Sequence, residues 1–377
     1  MKNTIKMSLV AAVAVAGLSS TAAAKPLEEA IKNVDISGTM VYRYDEKKQD
    51  IAGATATASN NYKIATSLKS KVNDYVTATV RVVTGHDLTT GNTQTNNGDF
   101  ASLPTNGVDD QNPTVQVSQA NFTVSTDAAT VIVGKQGLAT PWTVAIDSDS
   151  NEQTGTGALA LVPVGPVTVA AGYFNQTNLG YVGKDIATVA VLGSTDTVSY
   201  DAWYLDLQDT FSTYTVGAKA KLGDINVDAR YASLELDSAS DANTLLYIKT
   251  SGKFDKFGFK ANVAMTGEDG GLTALDGDAK TTILAWNVNT HNKADALYYH
   301  INGNMDAMDN LNVALNYASV DYDNAGTDQV DTELFTQITY KMSSNLSTYF
   351  RYAMINNEVG SSDTDSTRGR LQVEYKF

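Results

Sequence analysis

Apolar and polar residues alternate through most of the chain, most clearly over its last residues. There, two sets of residues alternate: apolar Leu371, Val373, Tyr375 and Phe377, and polar Arg370, Gln372, Glu374 and Lys376. A period of two is the repeat of a β-strand and not of a helix. One apolar and one charged face are typical of a transmembrane β-barrel strand, whose apolar side faces lipid. An edge strand of a soluble sheet would alternate in the same way, so the rest of the chain has to decide.

The same alternation predicts further strands from Val34 onward, joined by connections of unequal length. The predicted strands are 34–44, 62–69, 76–82, 115–125, 129–136, 158–162, 167–175, 186–193, 198–207, 213–222, 225–236, 244–252, 257–266, 294–305, 311–322, 332–341, 346–355 and 366–377. Short turns such as Gly223-Asp224 alternate with longer polar loops such as 84–113 and 137–157. Short turns at one end and longer loops at the other are typical of outer-membrane barrels.

Residues 267–293 are ambiguous, because the segment 281–289 alternates like a strand. Counting it would make the number of strands odd, whereas bacterial single-chain barrels have an even number. We therefore expect this region to be a long extracellular loop, or a strand extension above the membrane. The prediction is an all-β fold, a transmembrane antiparallel β-barrel of about 18 strands, with 16 as the alternative.

The first 24 residues have the three parts of a cleaved export signal. Lys2 and Lys6 precede an apolar run over 7–18, and small residues end the segment at Ala22-Ala23-Ala24. The run is too short for a spanning helix, which needs roughly 18 or more apolar residues, and no other window offers them. Residues 25–33 then predict a short periplasmic segment with one or two helical turns, and 34–377 the barrel. The predicted location is the outer membrane of a Gram-negative bacterium.

The charge and cysteine content exclude several classes of protein. The chain has 27 Lys and Arg against 42 Asp and Glu, a net charge of −15 at pH 7, and loss of two signal lysines makes it −15 − 2 = −17. Such a surface repels nucleic acid, so we expect no nucleic-acid partner. There are no cysteines, which excludes disulfide scaffolds and thiolate metal sites.

Several short motifs make the chain resemble the major outer membrane protein porins of Campylobacter and its relatives. They are PLEEAIKNVDISG from Pro26 to Gly38, YRYD from Tyr42 to Asp45, and VGKQ from Val133 to Gln136 leading into Thr140-Pro141. The apolar set Leu371, Val373, Tyr375 and Phe377 also resembles the terminal assembly signal of outer-membrane barrels. The resemblance implies a homotrimeric diffusion pore in outer-membrane lipid, inserted by the barrel assembly machinery. It also implies that the third extracellular loop, carried over to 137–157, folds inward and narrows the channel.

Basic residues concentrate on the polar, lumen-facing side of the predicted strands. The pore-lining basic wall is predicted to comprise Arg43, Arg81, Arg230, Arg351, Arg368 and Arg370. Four of these arginines lie on the first strand and the last two, which become neighbours when a barrel closes. The inward loop would face them with the constriction residues Pro141, Trp142, Asp147, Asp149 and Glu152. We expect a transverse field that orients polar solutes, the alternative being that lumen positions simply tolerate charge.

The three acids of this loop could also hold a hard cation such as Ca²⁺ through their oxygens. Asp147, Asp149 and Glu152 lack the spacing of a full calcium loop, and a solvated acidic loop is the commoner arrangement. No phosphate-cradling glycine loop is present. We therefore predict no metal, nucleotide or redox cofactor.

The function expected from these features is passive diffusion of ions and small hydrophilic solutes, with weak cation selectivity. The loops carry many acids: Asp45, Glu46, Asp50, Asp109, Asp110, Glu268, Asp269, Asp276, Asp278, Asp321, Asp323, Asp363 and Asp365. A potential from this mouth would act over about 8 to 10 Å and enrich cations. One alternative is a secreted or surface β-rich adhesin. The other is an outer-membrane enzyme, but His86, His291 and His300 sit in no recognisable catalytic constellation, and we predict no enzyme.

Overall fold

The computed structural model describes residues 34–51, 53–84, 100–104 and 115–377. The predicted export signal at 1–24, the periplasmic segment at 25–33, His86, Asp109 and Asp110 lie outside these residues. Within the described part of the chain, no helix is long and apolar enough to cross a membrane.

The described residues form nineteen strands. In chain order they are β1 Val34–Gln49, β2 Thr57–Lys71, β3 Val76–Thr84, β4 Ala101–Pro104, β5 Val115–Ser125, β6 Thr130–Gly137, β7 Thr154–Val164, β8 Val167–Thr177, β9 Ile186–Ser194, β10 Val198–Leu207, β11 Phe211–Leu222, β12 Ile225–Leu236, β13 Asn243–Phe254, β14 Phe257–Thr266, β15 Ala294–Met308, β16 Leu311–Asp323, β17 Asp328–Lys341, β18 Leu346–Val359 and β19 Ser362–Lys376.

The strands close into one antiparallel barrel. The first strand pairs with the last, from Thr39 opposite Lys376 to Gln49 opposite Ser366. The short strand β4 pairs with β2 at 59–62, while β3 pairs with β2 only from Ala65 onward, so β3 and β4 share one position in the wall. Nineteen strands with one shared position make an 18-strand barrel, as the alternation predicts.

Exposure follows the alternation along each strand. On β1, Met40 and Tyr42 are 52% and 42% exposed, whereas Val41 and Arg43 between them are 2% and 4% exposed. On β19, Leu371 and Tyr375 are exposed and Gln372 is buried, and Phe377 directly after the strand is exposed as well. The exposed apolar set is therefore the outer, lipid-facing surface, and the buried or polar set faces the lumen.

One end of the barrel has only short turns, and the long connections lie at the other end. At the turn end, β11–β12 and β13–β14 are two-residue hairpins, and Gly223 and Asp255 there adopt φ of +62° and +53°, as such tight turns require. At the loop end, loop 3 (residues 138–153) joins β6 to β7 and loop 7 (residues 267–293) joins β14 to β15. The predicted loop 137–157 is therefore too long, since residues 154–157 extend β7 and residue 137 ends β6.

Loop 7 folds into the barrel and does not extend a strand above the membrane. Its Ile283 and Val288 pack in one buried cluster with inward-facing Leu245, Tyr247 and Tyr298 of the wall. Segment 281–289 forms no strand, only an isolated bridge between Leu284 and Asn289. The space between loop 7 and the neighbouring wall is thus a hydrophobic core, which the expectation of a polar lumen missed.

Candidate pore constriction

The tip of loop 3 reaches the strands that close the barrel. Asp149 forms an ion pair with Arg43 of β1 and lies 3.5 Å from Nη1 of Arg370 on β19. Arg370 is also bound to Asp45, with 2.6 Å between Nε and Oδ1. The chain of alternating charges Arg43, Asp149, Arg370 and Asp45 crosses the closure, so the inward loop and the basic wall meet as an ion-pair network.

A second ion pair fixes the other end of the tip to β3. Nε of Arg81 lies 3.0 Å and 2.9 Å from the two carboxylate oxygens of Glu152, which is fully buried. Nearby, Nζ of the buried Lys63 donates to the backbone oxygens of Asp147 and Ser150 at 2.6 Å and 2.7 Å. A buried charge is tolerated only when it is paired, so these contacts hold the tip against the lumen wall.

The three predicted constriction acids have different surroundings. Burial raises the pKa of Asp147. The N–H groups of Asp149 and Ser150, which donate to its Oδ1, lower that pKa by a smaller amount. Burial would also raise the pKa of Asp149, but the charges of Arg43 and Arg370 outweigh it and lower that pKa. Asp149 alone among the three has a half-exposed side chain, at 50%.

These acids bind arginines or backbone and do not converge on one point. In the described ranges there is no group of three or more His, Cys, Asp or Glu side chains arranged to hold a metal ion. The absence of a bound metal stays a prediction.

Pro141 and Trp142 anchor loop 3 and do not line open space. Trp142 is completely buried in a cluster with Leu138 and Phe174. The backbone oxygens of Pro141 and Trp142 accept hydrogen bonds from the N–H groups of Thr281 at 3.1 Å and Leu275 at 2.9 Å. Since Thr281 and Leu275 belong to loop 7, the two loops form one body inside the barrel.

The tip of loop 7 is held by one carboxylate of the wall. Glu333 on β17 is 1% exposed and accepts hydrogen bonds from the backbone N–H groups of Trp286, Asn287 and Val288, at 2.7 to 3.2 Å. Nδ2 of Asn287 adds a fourth donor at 2.9 Å. Successive backbone N–H groups that converge on one anion make a nest, which stabilises the buried charge.

Trp286 places its ring among the arginines of the closing strands. The guanidinium carbons of Arg351, Arg368 and Arg370 lie 4.7, 5.0 and 5.7 Å from the ring centre. Such cation–π contacts add to the stabilisation of these guanidinium groups. Sequence analysis missed the roles of Trp286 and Glu333, because a single tryptophan in an ambiguous loop gave no signal of its partners on β17–β19.

Two cavities lie on either side of the loop 7 tip. The turn-side vestibule, of about 960 Å³, extends from the turn at 195–198 to Ile283, Leu284 and Arg351. The loop-side cavity, of about 340 Å³, is lined by Leu284, Trp286 and Arg368. Because Leu284 lines both, the tip of loop 7 with its arginines separates them.

The remaining predicted residues lie apart from this constriction. Arg230 on β12 binds both oxygens of Asp201, at 2.9 Å and 2.8 Å. His300 lies in a network of amides with Asn262 and Asn316. Phe377 pairs through its backbone with Gly38 of β1, at 2.8 Å and 3.1 Å.

Comparison with solved structures identifies the barrel type. Acinetobacter baumannii OccAB4 aligns with a TM-score of 0.70 at 15% identity, over 91% of this chain and 98% of that one. Pseudomonas aeruginosa OpdQ aligns at 0.69 and 15%, over 91% and 99%, and Pseudomonas aeruginosa OprD at 0.68 and 17%, over 95% and 98%. Identities this low demonstrate a shared fold alone. No curated protein sequence matches the chain.

The sequence itself matches a family model, that of the Campylobacter major outer membrane protein, over residues 1–184. That span contains β1–β8 and all of loop 3. The match confirms the resemblance drawn from the N-terminal motifs. Over residues 1–184 the chain is similar to the Campylobacter major outer membrane protein family, and its fold is that of a porin-type outer-membrane β-barrel.

Proposed function

We propose that this porin lets ions and small hydrophilic solutes diffuse passively, with weak selectivity for cations. The observation that carries the proposal is the pairing of loop 3 acids with arginines of the wall. Arg43 and Arg370 share Asp149, and Arg81 is bound to Glu152. A wall whose positive charges are paired in this way has little net field left to attract anions.

The acids of the loop end then determine the sign of the selectivity. Glu46, Asp50 and Asp363 are exposed around the mouth, and Asp149 is half exposed at the constriction. Their potential extends about 8 Å at physiological salt and shrinks as salt rises. We therefore expect cation selectivity that weakens at high salt.

The reversal potential across a potassium chloride gradient tests this proposal. Asp149→Asn removes the exposed carboxylate and leaves Arg43 and Arg370 less neutralised, so we expect the cation-to-anion permeability ratio to fall about twofold or more. Asp127→Asn is the matched control, since it removes the same charge from an exposed turn between β5 and β6 at the opposite end of the barrel. An anion-selective wild type, or an equal shift in both variants, would contradict the proposal.

Passive diffusion of neutral solutes has its own test. Liposomes containing the folded protein should swell in sugars of small mass and stop swelling as mass increases, because the loop 7 tip narrows the passage between the two cavities. Failure to swell in any sugar would contradict a general diffusion pore.

We also propose assembly as a homotrimer in outer-membrane lipid after insertion by the barrel assembly machinery. The supports are the family resemblance and the exposed apolar face of β19 with Leu371, Tyr375 and Phe377. Light scattering of the detergent-extracted protein should give three chains per particle. Replacing Phe377 with Asp should impair insertion, whereas normal heat-modifiable migration of that variant would contradict the assembly role.

A further inference from the structure

Four lysines line the turn-side vestibule, on the side of loop 7 away from the acidic mouth. They are Lys219 and Lys221 on β11, Lys249 on β13 and Lys260 on β14. The acids that line the same cavity are Asp196 and Asp228. With Arg351, five basic groups face two acidic ones, so the vestibule carries a net positive charge while the whole chain is strongly acidic.

Strand register brings the lysines into one patch. Lys219 lies opposite Asp228, which lies opposite Lys249, and on the neighbouring strands Lys249 is opposite Asn262. Lys260 is two residues from Asn262 and is thus the diagonal neighbour of Lys249, a separation of roughly 7–8 Å between Cα atoms. Four-carbon stems can bring ammonium groups from such positions onto one bound molecule.

Most of this charge has no ion-pair partner. Lys219 pairs with Asp228 at 3.1 Å. In the described part of the chain, Lys221, Lys249 and Lys260 form no ion pair, and Nζ of Lys249 instead lies 4.1 Å from the ring centre of Tyr247. Their mutual repulsion would be relieved by an anion in the cavity.

A row of oriented amides continues the floor of the vestibule. Asn302 donates to Asn316 at 2.8 Å, Asn304 donates to Asn302 at 2.9 Å, and His300 connects Asn262 to Asn316. Side chains fixed by such a network offer hydrogen-bond donors without an entropic penalty on binding. Lysine charge beside preorganised amides is the chemistry that recognises oxyanions carrying several charges.

We propose that the turn-side vestibule is a binding site for small multivalent oxyanions, namely solutes that carry two or more phosphate or carboxylate groups. The proposal goes beyond weak cation selectivity, and it rests on the proposed pore only for solute access. A solute that passes the loop 7 tip would be retained on the turn side by the lysine patch. The channel thus carries opposite fixed charges at its two ends, and its current should depend on the polarity of the voltage.

Equilibrium binding to the detergent-folded full chain tests the site without requiring conduction. Inorganic tripolyphosphate and citrate are the two probes, and sucrose is the neutral comparison. We expect both anions to bind at low salt, with affinity reduced about tenfold in Lys249→Gln with Lys260→Gln. The matched control is Lys71→Gln with Lys256→Gln, which removes two exposed turn-end lysines that do not line the vestibule.

Each outcome decides a defined point. Binding of one probe only would assign the site to phosphate or to carboxylate solutes. The proposal would be overturned if neither anion binds, or if the control variant loses as much affinity as the Lys249 and Lys260 variant. It would also be overturned if sucrose binds and its binding is unaffected by the lysine variants. Planar-bilayer recordings test the vestibule site separately from the pore function. If the channel conducts, but its current is symmetric and tripolyphosphate does not block it, only the vestibule site is refuted. A protein that binds tripolyphosphate but never conducts refutes the diffusion pore alone.

Discussion

The tips of loops 3 and 7 fill the same lumen but are held by opposite means. The tip of loop 3 carries its own charges, and Asp149 and Glu152 meet arginines of the wall. The tip of loop 7, from Ile283 to Asn289, carries no charged side chain. Its backbone N–H groups donate instead to the carboxylate of Glu333 on the wall. The position of loop 3 therefore depends on charge compensation, and that of loop 7 on hydrogen-bond geometry and dry packing.

This difference also divides the functional roles of the loops. Loop 3 neutralises the arginines of the closing strands, because Asp149 lies between Arg43 and Arg370. Loop 7 separates the two cavities, because Leu284 lines both. Changes in loop 3 should thus alter selectivity first, and changes in the anchoring of loop 7 should alter conductance first.

The largest effect is expected from Glu152→Gln. This change leaves the buried Arg81 without its partner and should destabilise the docked tip of loop 3 by about 3–5 kcal/mol. Limited proteolysis within 147–152 and urea unfolding of the folded protein measure the loss. Replacing both Glu152 and Arg81 with Leu should recover most of it, since no buried charge then remains unpaired. Equal sensitivity in the single and double variants would contradict a charge-held tip.

Glu333→Gln should release the tip of loop 7. A single amide oxygen cannot accept all of the N–H donors of 286–288, and its own NH₂ group opposes them, so we expect a loss of about 2–4 kcal/mol of docking free energy. Single-channel conductance should rise, with little change in ion selectivity. Glu358→Gln, an exposed acid at the loop end of β18, is the control and should leave conductance unchanged. An unchanged conductance with Glu333→Gln would mean that loop 7 does not gate the passage.

Trp286→Ala removes the ring from Arg351, Arg368 and Arg370 but keeps the Glu333 nest. Loss of the cation–π contacts, each about 0.5–2 kcal/mol, should expose these guanidinium groups and shift the reversal potential toward anions. Trp203→Ala is the comparison, because Trp203 packs against the buried cluster of Trp142. A larger shift of the reversal potential in the Trp203 variant would contradict the placement of Trp286 at the constriction.

The smallest effect is a pH dependence located where the loops meet. Burial and the charges of Asp147, Asp149 and Asp276 raise the pKa of Asp278 in loop 7 to about 6. Because the folded pKa lies above the unfolded one, the docked state binds the extra proton, so docking strengthens as pH falls through about 6 and weakens as it rises.

Reversal potentials measured from pH 7.5 to 5 should show a fall in cation selectivity centred near pH 6, since a negative charge beside Asp147 and Asp149 is lost. Asp278→Asn at pH 7 should behave like the wild type at pH 5. Asp269→Asn, an exposed acid in the same loop, is the control and should retain the transition. Persistence of the transition in Asp278→Asn would assign it to another group.

Strand prediction succeeded for the barrel wall, and for four strands it gave both bounds. Both bounds of β5, β10, β12 and β14 match the predicted strands. Segment 281–289 alternates equally well but forms no strand, because its residues pack against the inner wall and Glu333 binds its backbone. Burial of alternate side chains produces a period of two whether the partner surface is lipid or a protein core.

The sequence by itself determined the 18-strand barrel, its outer apolar face and the neighbouring positions of the arginines on β1, β18 and β19. These follow from a local repeat, and closure then joins first and last strands. Only the tertiary structure decided which loops fill the lumen and which charges meet. Arg370 and Asp45 are 325 residues apart in sequence. Glu333 binds Asn287 although β15 and β16 lie between them in the sequence. Such pairs depend on how side chains from distant strands share one enclosed space, and no local pattern encodes that arrangement.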